Sequence, residues 1–115
     1  MKFFVKLFLS AFLVFSVPFS VGAQDDVVVT KQYDDGGMYE GTFKNGLQHG
    51  IGTYRLPNGY EYSGEWIDGE ILGVGVAKFP NGSVYEGNFI KGKPEGSGKI
   101  IFADGGTYEG TWLDG

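Results

Sequence analysis

A unit of 23 residues recurs along this chain, and no other feature constrains the fold as strongly. Tyr39, Tyr62, Tyr85 and Tyr108 stand in one column, and Gly41, Gly64, Gly87 and Gly110 in another. Phe43, Trp66, Phe89 and Trp112 form a third column that is always aromatic. Gly46, Gly69, Gly92 and Gly115 recur, as do the Gly-x-Gly pairs Gly50/Gly52, Gly73/Gly75 and Gly96/Gly98. A fixed period of this size marks a repeat architecture, in which no unit buries its apolar face without its neighbours. Function in such a chain is expected from the array rather than from an enclosed pocket.

Each unit reads as two short strands. In the first copy Met38 to Lys44 alternates, with Tyr39, Gly41 and Phe43 on one face and Glu40, Thr42 and Lys44 on the other. Asn45-Gly46 then signals a tight turn, because both residues tolerate positive φ. A second strand is expected over about Gly50 to Leu56, with Gly50, Gly52, Tyr54 and Leu56 sharing a side. Pro57-Asn58-Gly59, Pro80-Asn81-Gly82 and Ala103-Asp104-Gly105 turn the chain into the next copy. No helical period or capping box is present after the N-terminal leader. The expectation is an all-β, single-layer, twisted antiparallel meander of hairpins. Glycine weakens a strand interior, so its recurrence beside aromatic columns needs a reason. A position without a side chain lets a ring lie over the backbone of the neighbouring strand, and each ring buries ~150–250 Å². Gly41, Gly64 and Gly87 are therefore expected to be packing positions. Gly50-x-Gly52 lacks the strand-to-helix context of a nucleotide-binding loop.

Residues 1–23 differ from the rest. Lys2 and Lys6 precede an apolar run from Leu7 to Val17, Pro18 breaks it, and Val21-Gly22-Ala23 supplies small residues for cleavage. This is the pattern of a helical secretory signal peptide cut after Ala23; the run is short for an uncleaved span. The mature part is then expected to be exported, periplasmic or secreted. The chain has no cysteine, which excludes a lipid-modified cysteine and disulfides. Its formal charge is −5 and becomes more negative once Lys2 and Lys6 leave with the leader. That balance argues against nucleic acid and against long-range attraction to anionic lipid. Residues 24–36 come before the first clear copy. Val27 to Gly36, moved on by three periods, fall on Gly96 to Gly105, with Val27 and Val29 in the glycine columns and Tyr33 in that of Leu56, Phe79 and Phe102. The segment reads as a degenerate half-repeat capping the array, or as a linker. Copies follow at 37–59, 60–82 and 83–105, with a partial one at 106–115.

Tyr-Glu-Gly-x-Phe/Trp-x-x-Gly followed by a Gly-x-Gly pair and a Pro-Asn-Gly or Asp-Gly turn resembles the MORN repeat. Tyr39-Glu40-Gly41, Tyr85-Glu86-Gly87 and Tyr108-Glu109-Gly110 carry the resemblance, while the second copy departs from it at Tyr62-Ser63-Gly64. The resemblance extends from Gly37 to Gly115. It implies an elongated, groove-bearing β-sheet that serves protein–protein interaction, self-association or phospholipid binding, with no catalysis by the repeat itself. An exported stand-alone array is similar to bacterial members of the family.

The titratable residues give little sign of chemistry. His49 is the only histidine, has no cysteine to partner it, and falls between the strands of the first copy. Asp25-Asp26 and Asp34-Asp35 lie near a terminus or a turn, and paired glycosidase-type carboxylates must face each other across a cleft. Glu40, Glu86 and Glu109 are expected as a ladder along the outer face. The acidic turns Asp34-Asp35-Gly36 and Asp104-Gly105 lack a calcium loop. No catalytic residue, metal ligand or cofactor is assigned. The outward face is more informative. It is polar in the first copy, with Glu40, Thr42, Lys44, Thr53 and Arg55, and then becomes apolar through Ile67, Val74, Val76, Ile90, Ile101 and Leu113. Such a stripe on the wet side of a single-layer sheet marks a protein-partner surface; equally, β-branched residues suit strands and pack across them. Lys91, Lys93 and Lys99 are the sole support for a phospholipid-binding alternative. The last strand, Thr107 to Leu113, is expected as an open edge that either continues into a longer array or pairs with a second copy.

Overall fold

The computed structural model describes residues 27–115. The expected leader and its cleavage site lie outside the described residues. Among the described residues eight strands form one sheet in chain order, each antiparallel to the next. They are β1 (Val29–Gln32), β2 (Met38–Lys44), β3 (Leu47–Arg55), β4 (Glu61–Ile67), β5 (Glu70–Lys78), β6 (Val84–Ile90), β7 (Lys93–Ile101) and β8 (Thr107–Trp112). The expected single-layer meander is the fold observed.

Two turn types join the strands. The hairpin tips are two-residue turns with both residues at positive φ, Asn45 at 52° and Gly46 at 81° in the first copy. That mirror-image turn matches the right-handed twist of the strands it joins. At the opposite end of the strands, Asp35, Asn58, Asn81 and Asp104 each accept a hydrogen bond through Oδ1 from the backbone N–H two residues on, at 2.8–2.9 Å. The hairpin tips also tie copies together. Gly69 N–H donates to Gln48 O, Gly92 N–H to Ile71 O and Gly115 N–H to Pro94 O.

The second strand of each copy starts earlier than expected. β3 begins at Leu47, directly after the turn, and not near Gly50. The difference is a β-bulge. Gly41 pairs with Gly52 and Phe43 with Gln48, so Thr42 alone faces His49, Gly50 and Ile51. The same shift occurs between Gly64 and Trp66 and between Gly87 and Phe89, whereas pairs between copies run without a shift. Gly50 therefore does not share a face with Gly52 in regular alternation. It sits at φ +88° in the bulge, where a residue with a side chain would be strained. Leu56 belongs to the turn beyond β3, its N–H donating to Tyr60 O.

Beyond the bulge the register places seven glycines in one cross-strand row: Gly41, Gly52, Gly64, Gly75, Gly87, Gly98 and Gly110. Val29 of β1 pairs with Gly41 and extends that row. Tyr39 lies across Gly52, Tyr62 across Gly75 and Tyr85 across Gly98, close enough that a Cβ on any of these glycines would collide with the ring. Each tyrosine is fully buried and donates its hydroxyl, at 2.9 Å, to the carbonyl three residues on, at Thr42, Glu65 and Asn88. The rings of Phe43, Tyr39, Trp66, Tyr62, Phe89, Tyr85, Trp112 and Tyr108 then run as one edge-to-face ladder, with successive centroids 5.0–5.6 Å apart. Each such contact adds ~0.5–1.5 kcal/mol beyond area burial. The ladder takes the place of a second layer. Trp66 and Trp112 also donate Nε1–H to Gly52 O and Gly98 O, both at 3.1 Å. Trp112 packs edge-to-face on Tyr85, while Tyr108 stays 49% exposed because no described strand follows β8 to receive it.

Candidate interaction surfaces

The ring ladder occupies one face of the sheet, called inner here, and alternation sends the remaining side chains to the outer face. One outer row runs Thr30, Glu40, Thr53, Ser63, Val76, Glu86, Lys99 and Glu109. Glu40, Glu86 and Glu109 are thus on the expected face, yet they form no continuous ladder: Lys99 separates Glu86 from Glu109, and Thr53, Ser63 and Val76 separate Glu40 from Glu86. The polar start of this face is hydrogen-bonded, with Thr53 Oγ1 2.9 Å from Ser63 Oγ and the Arg55 guanidinium reaching Glu61 at 3.4 Å and Glu40 at 3.8 Å.

The apolar outer residues are placed as follows. Ile67, Val74, Ile90, Ile101 and Leu113 are 44–80% exposed, and Val76 is half-buried. Val76 lies between Ser63 and Glu86, Ile67 faces Glu70, and Val74 faces Asn88. Ile90 pairs with Leu72, and Ile101 with Val84, so apolar neighbours occur as cross-strand pairs rather than as one stripe. Leu72 was missed in sequence because the other members of its column, His49 and Glu95, are polar, and Val84 because its column mixes Met38 with Glu61 and Thr107.

His49 lies inside β3, not between strands. Its Nδ1 accepts the Asp68 N–H at 3.3 Å. Glu95, its equivalent in the third copy, accepts the Asp114 N–H at 3.0 Å in the same way. The column thus holds the following hairpin tip. A second polar column, Thr42, Glu65 and Asn88, serves the bulges. Thr42 Oγ1 donates to His49 O, Glu65 Oε1 accepts the Val74 N–H at 3.1 Å, and Asn88 Nδ2 donates to Ser97 O at 3.2 Å. In sequence the second role shows only as a column that stays polar, and the first is masked by Leu72 in the second copy. Among the described residues no group of three His, Asp or Glu side chains is placed to hold a metal ion, and no helix is long and apolar enough to cross a membrane. Lys91 is the first residue of a hairpin tip and Lys93 opens the strand after it, and Lys99 sits between two glutamates.

The inner face carries a trough of about 450 Å³ where the first and second copies meet. Tyr33, Tyr54, Tyr60 and Ile71 line it over Trp66, which is only 6% exposed, with Asp35 and Gln48 among its polar groups. Tyr33 closes one side by accepting Gln48 Nε2–H at 2.7 Å. Burial holds the Tyr54 phenol above its ordinary pKa, reinforced by the Asp35 carboxylate and by Tyr33, and burial beside Tyr54 does the same for Tyr60.

An open sheet of stacked hairpins, with rings and bare backbone in place of a second layer among the described residues, defines a β-repeat module. The sequence matches the model of the MORN repeat over residues 39–59, 62–84 and 85–107, and the chain belongs to the MORN repeat family. Members of this family are repeat modules that bind proteins or membranes and are typically non-catalytic. A comparison with curated proteins finds no match.

Proposed function

We propose that this chain is an exported, non-catalytic binding module that engages or scaffolds other proteins. The observation that supports the reading is the outer face of an unbacked sheet, on which Ile67, Val74, Ile90, Ile101 and Leu113 remain 44–80% exposed. Neither the turns nor the ring ladder requires apolar side chains there, and apolar neighbours such as Leu72–Ile90 and Val84–Ile101 form the kind of exposed patch that accompanies contact surfaces. Self-association through the margin of the sheet at β8 belongs to the same reading. Export rests on the pattern of residues 1–23 and is checked by N-terminal sequencing of the chain recovered outside the cytoplasm, which should begin at Gln24.

The test is capture of envelope or secreted proteins on the immobilised chain, followed by reconstitution with the purified partner. Ile67→Lys together with Ile90→Lys should abolish that purified interaction and leave the circular dichroism unchanged. Binding that survives both substitutions removes the outer face from the proposal. The membrane alternative gains no support from Lys99, which its two glutamate neighbours offset, and Lys91 and Lys93 contribute only ~1 kcal/mol each near an anionic surface. Co-sedimentation with anionic vesicles at low and physiological salt separates the two readings.

A further inference from the structure

Three of the residues that build the aromatic trough are ones the repeat does not call for. Tyr54 stands where later copies have Ala77 and Ile100, Tyr60 where they have Ser83 and Gly106, and Gln48 where they have Ile71 and Pro94. The fold forms at those later positions without the rings. Yet Tyr33, Tyr54 and Tyr60 gather over Trp66 at one junction, with Asp35 beside them.

We infer that this trough binds an extended, proline-rich peptide segment carrying a basic residue, which the Asp35 carboxylate receives. The inference rests on the reading of the chain as a protein-binding module and names the class of ligand for it. The ring geometry selects among ligands. Tyr54 stands 6.2 Å from Tyr33 at 66° and 6.2 Å from Trp66 at 73°. Rings set on edge to one another leave slots between them, not the flat platform on which a sugar ring stacks. A polyproline II ligand has three residues per turn and ~3.1 Å of rise per residue, so its prolines project as ridges that enter slots of this kind. Its carbonyls are free of internal hydrogen bonds and need donors. Tyr33 keeps its own hydroxyl proton while accepting from Gln48, and among the described residues the Tyr54 and Tyr60 hydroxyls have no protein partner. Among the described residues Asp35 is the only charged side chain lining the trough, and it favours a basic ligand group there, while Lys31, outside the lining, carries its Nζ 5.4 Å from the centre of the Tyr33 ring.

The test titrates the purified chain, by tryptophan fluorescence and calorimetry, with a synthetic proline-rich peptide containing one arginine. Its proline-to-alanine and arginine-to-alanine versions, a soluble oligosaccharide and anionic vesicles are the comparisons. The parent peptide should bind saturably, and its affinity should fall about tenfold in Tyr54→Ala or Tyr60→Ser, the loss expected for an aromatic anchor. Those substitutions copy Ala77 and Ser83, so thermal unfolding should stay cooperative. Asp35→Asn should weaken the arginine peptide alone. Binding that ignores proline, binding unchanged in both tyrosine variants, or an oligosaccharide or vesicle interaction lost in those variants would overturn the inference. If no peptide binds while the outer-face partner is still captured, the inference falls by itself. If neither binds, the protein-binding reading falls with it.

Discussion

Gly52→Ala is the sharpest test of the idea that bare backbone exists to receive rings. The backbone at Gly52 needs no unusual conformation, so the substitution isolates the steric effect. An ideal Cβ would sit closer than 3.0 Å to the Oη, Cε1 and Cζ atoms of Tyr39. The ring has little room to yield. It is fully buried, packed 5.1 Å from both Phe43 and Trp66, and tied by its hydroxyl to Thr42 O at 2.9 Å. Overpacking a tight site costs ~1–3 kcal/mol, and displacing the ring forfeits a hydrogen bond of ~0.5–1.5 kcal/mol. One weakened edge-to-face contact adds ~0.5–1.5 kcal/mol. The expected loss is therefore ~2–6 kcal/mol, a large share of the ~5–15 kcal/mol that stabilises a domain.

Urea unfolding followed by tryptophan fluorescence measures this directly, since Trp66 touches the displaced ring. Gly46→Ala is the reference: its Cβ meets nothing within 4 Å, so only its positive φ is penalised, at ~1–2 kcal/mol. A double-mutant cycle supplies the second criterion. With Tyr39→Ala already present, Gly52→Ala should become neutral or slightly stabilising, because alanine suits a strand interior better than glycine by ~0.5–1 kcal/mol. A Gly52→Ala loss no larger than that of Gly46→Ala, or one that persists without the Tyr39 ring, would refute the reasoning.

Further consequences follow from the same contacts. Burial raises the phenols of Tyr39, Tyr54, Tyr60, Tyr62 and Tyr85 above the ordinary 10.0, so the folded state keeps protons that the unfolded chain releases. Stability should hold steady up to about pH 10 and fall above it, by up to ~1.4 kcal/mol per pH unit for each phenol kept neutral, with tyrosinate absorbance rising together with unfolding. Trp66→Phe should keep the ring contacts, as Phe43 and Phe89 do in their own copies, but lose the indole hydrogen bond to the Gly52 carbonyl, costing ~0.5–1.5 kcal/mol in urea unfolding. Glu65→Ala removes the acceptor of the Val74 N–H at an exposed bulge, and a loss of ~0.5–1.5 kcal/mol is expected; a larger loss would mean that the bulge supports more than its own hairpin.

What the sequence shows and what it hides are divided by one physical distinction. Periodicity reports which positions recur, and the tyrosine, aromatic and turn columns recur for reasons that any hairpin array shares, so the meander was legible from them. Periodicity does not report why a position recurs. Gly50 and Gly52 look alike in every copy, yet one bends the chain at φ +88° and the other lies beneath Tyr39. Only the three-dimensional register separates a conformational glycine from a steric one, and with it the true start of β3 and the place of His49. The same blindness applies to the inner trough. Tyr54 and Tyr60 fall outside the recurring columns, so a search for what repeats passes over them as noise. In an array whose recurring residues are committed to the fold, the departures are what function has left to use. Tyr54 and Tyr60, with Tyr33 and Asp35 beside them, are therefore where a ligand should be sought before any recurring column, and the outer pairs Leu72–Ile90 and Val84–Ile101 stand next, being apolar contacts that do not serve the ladder.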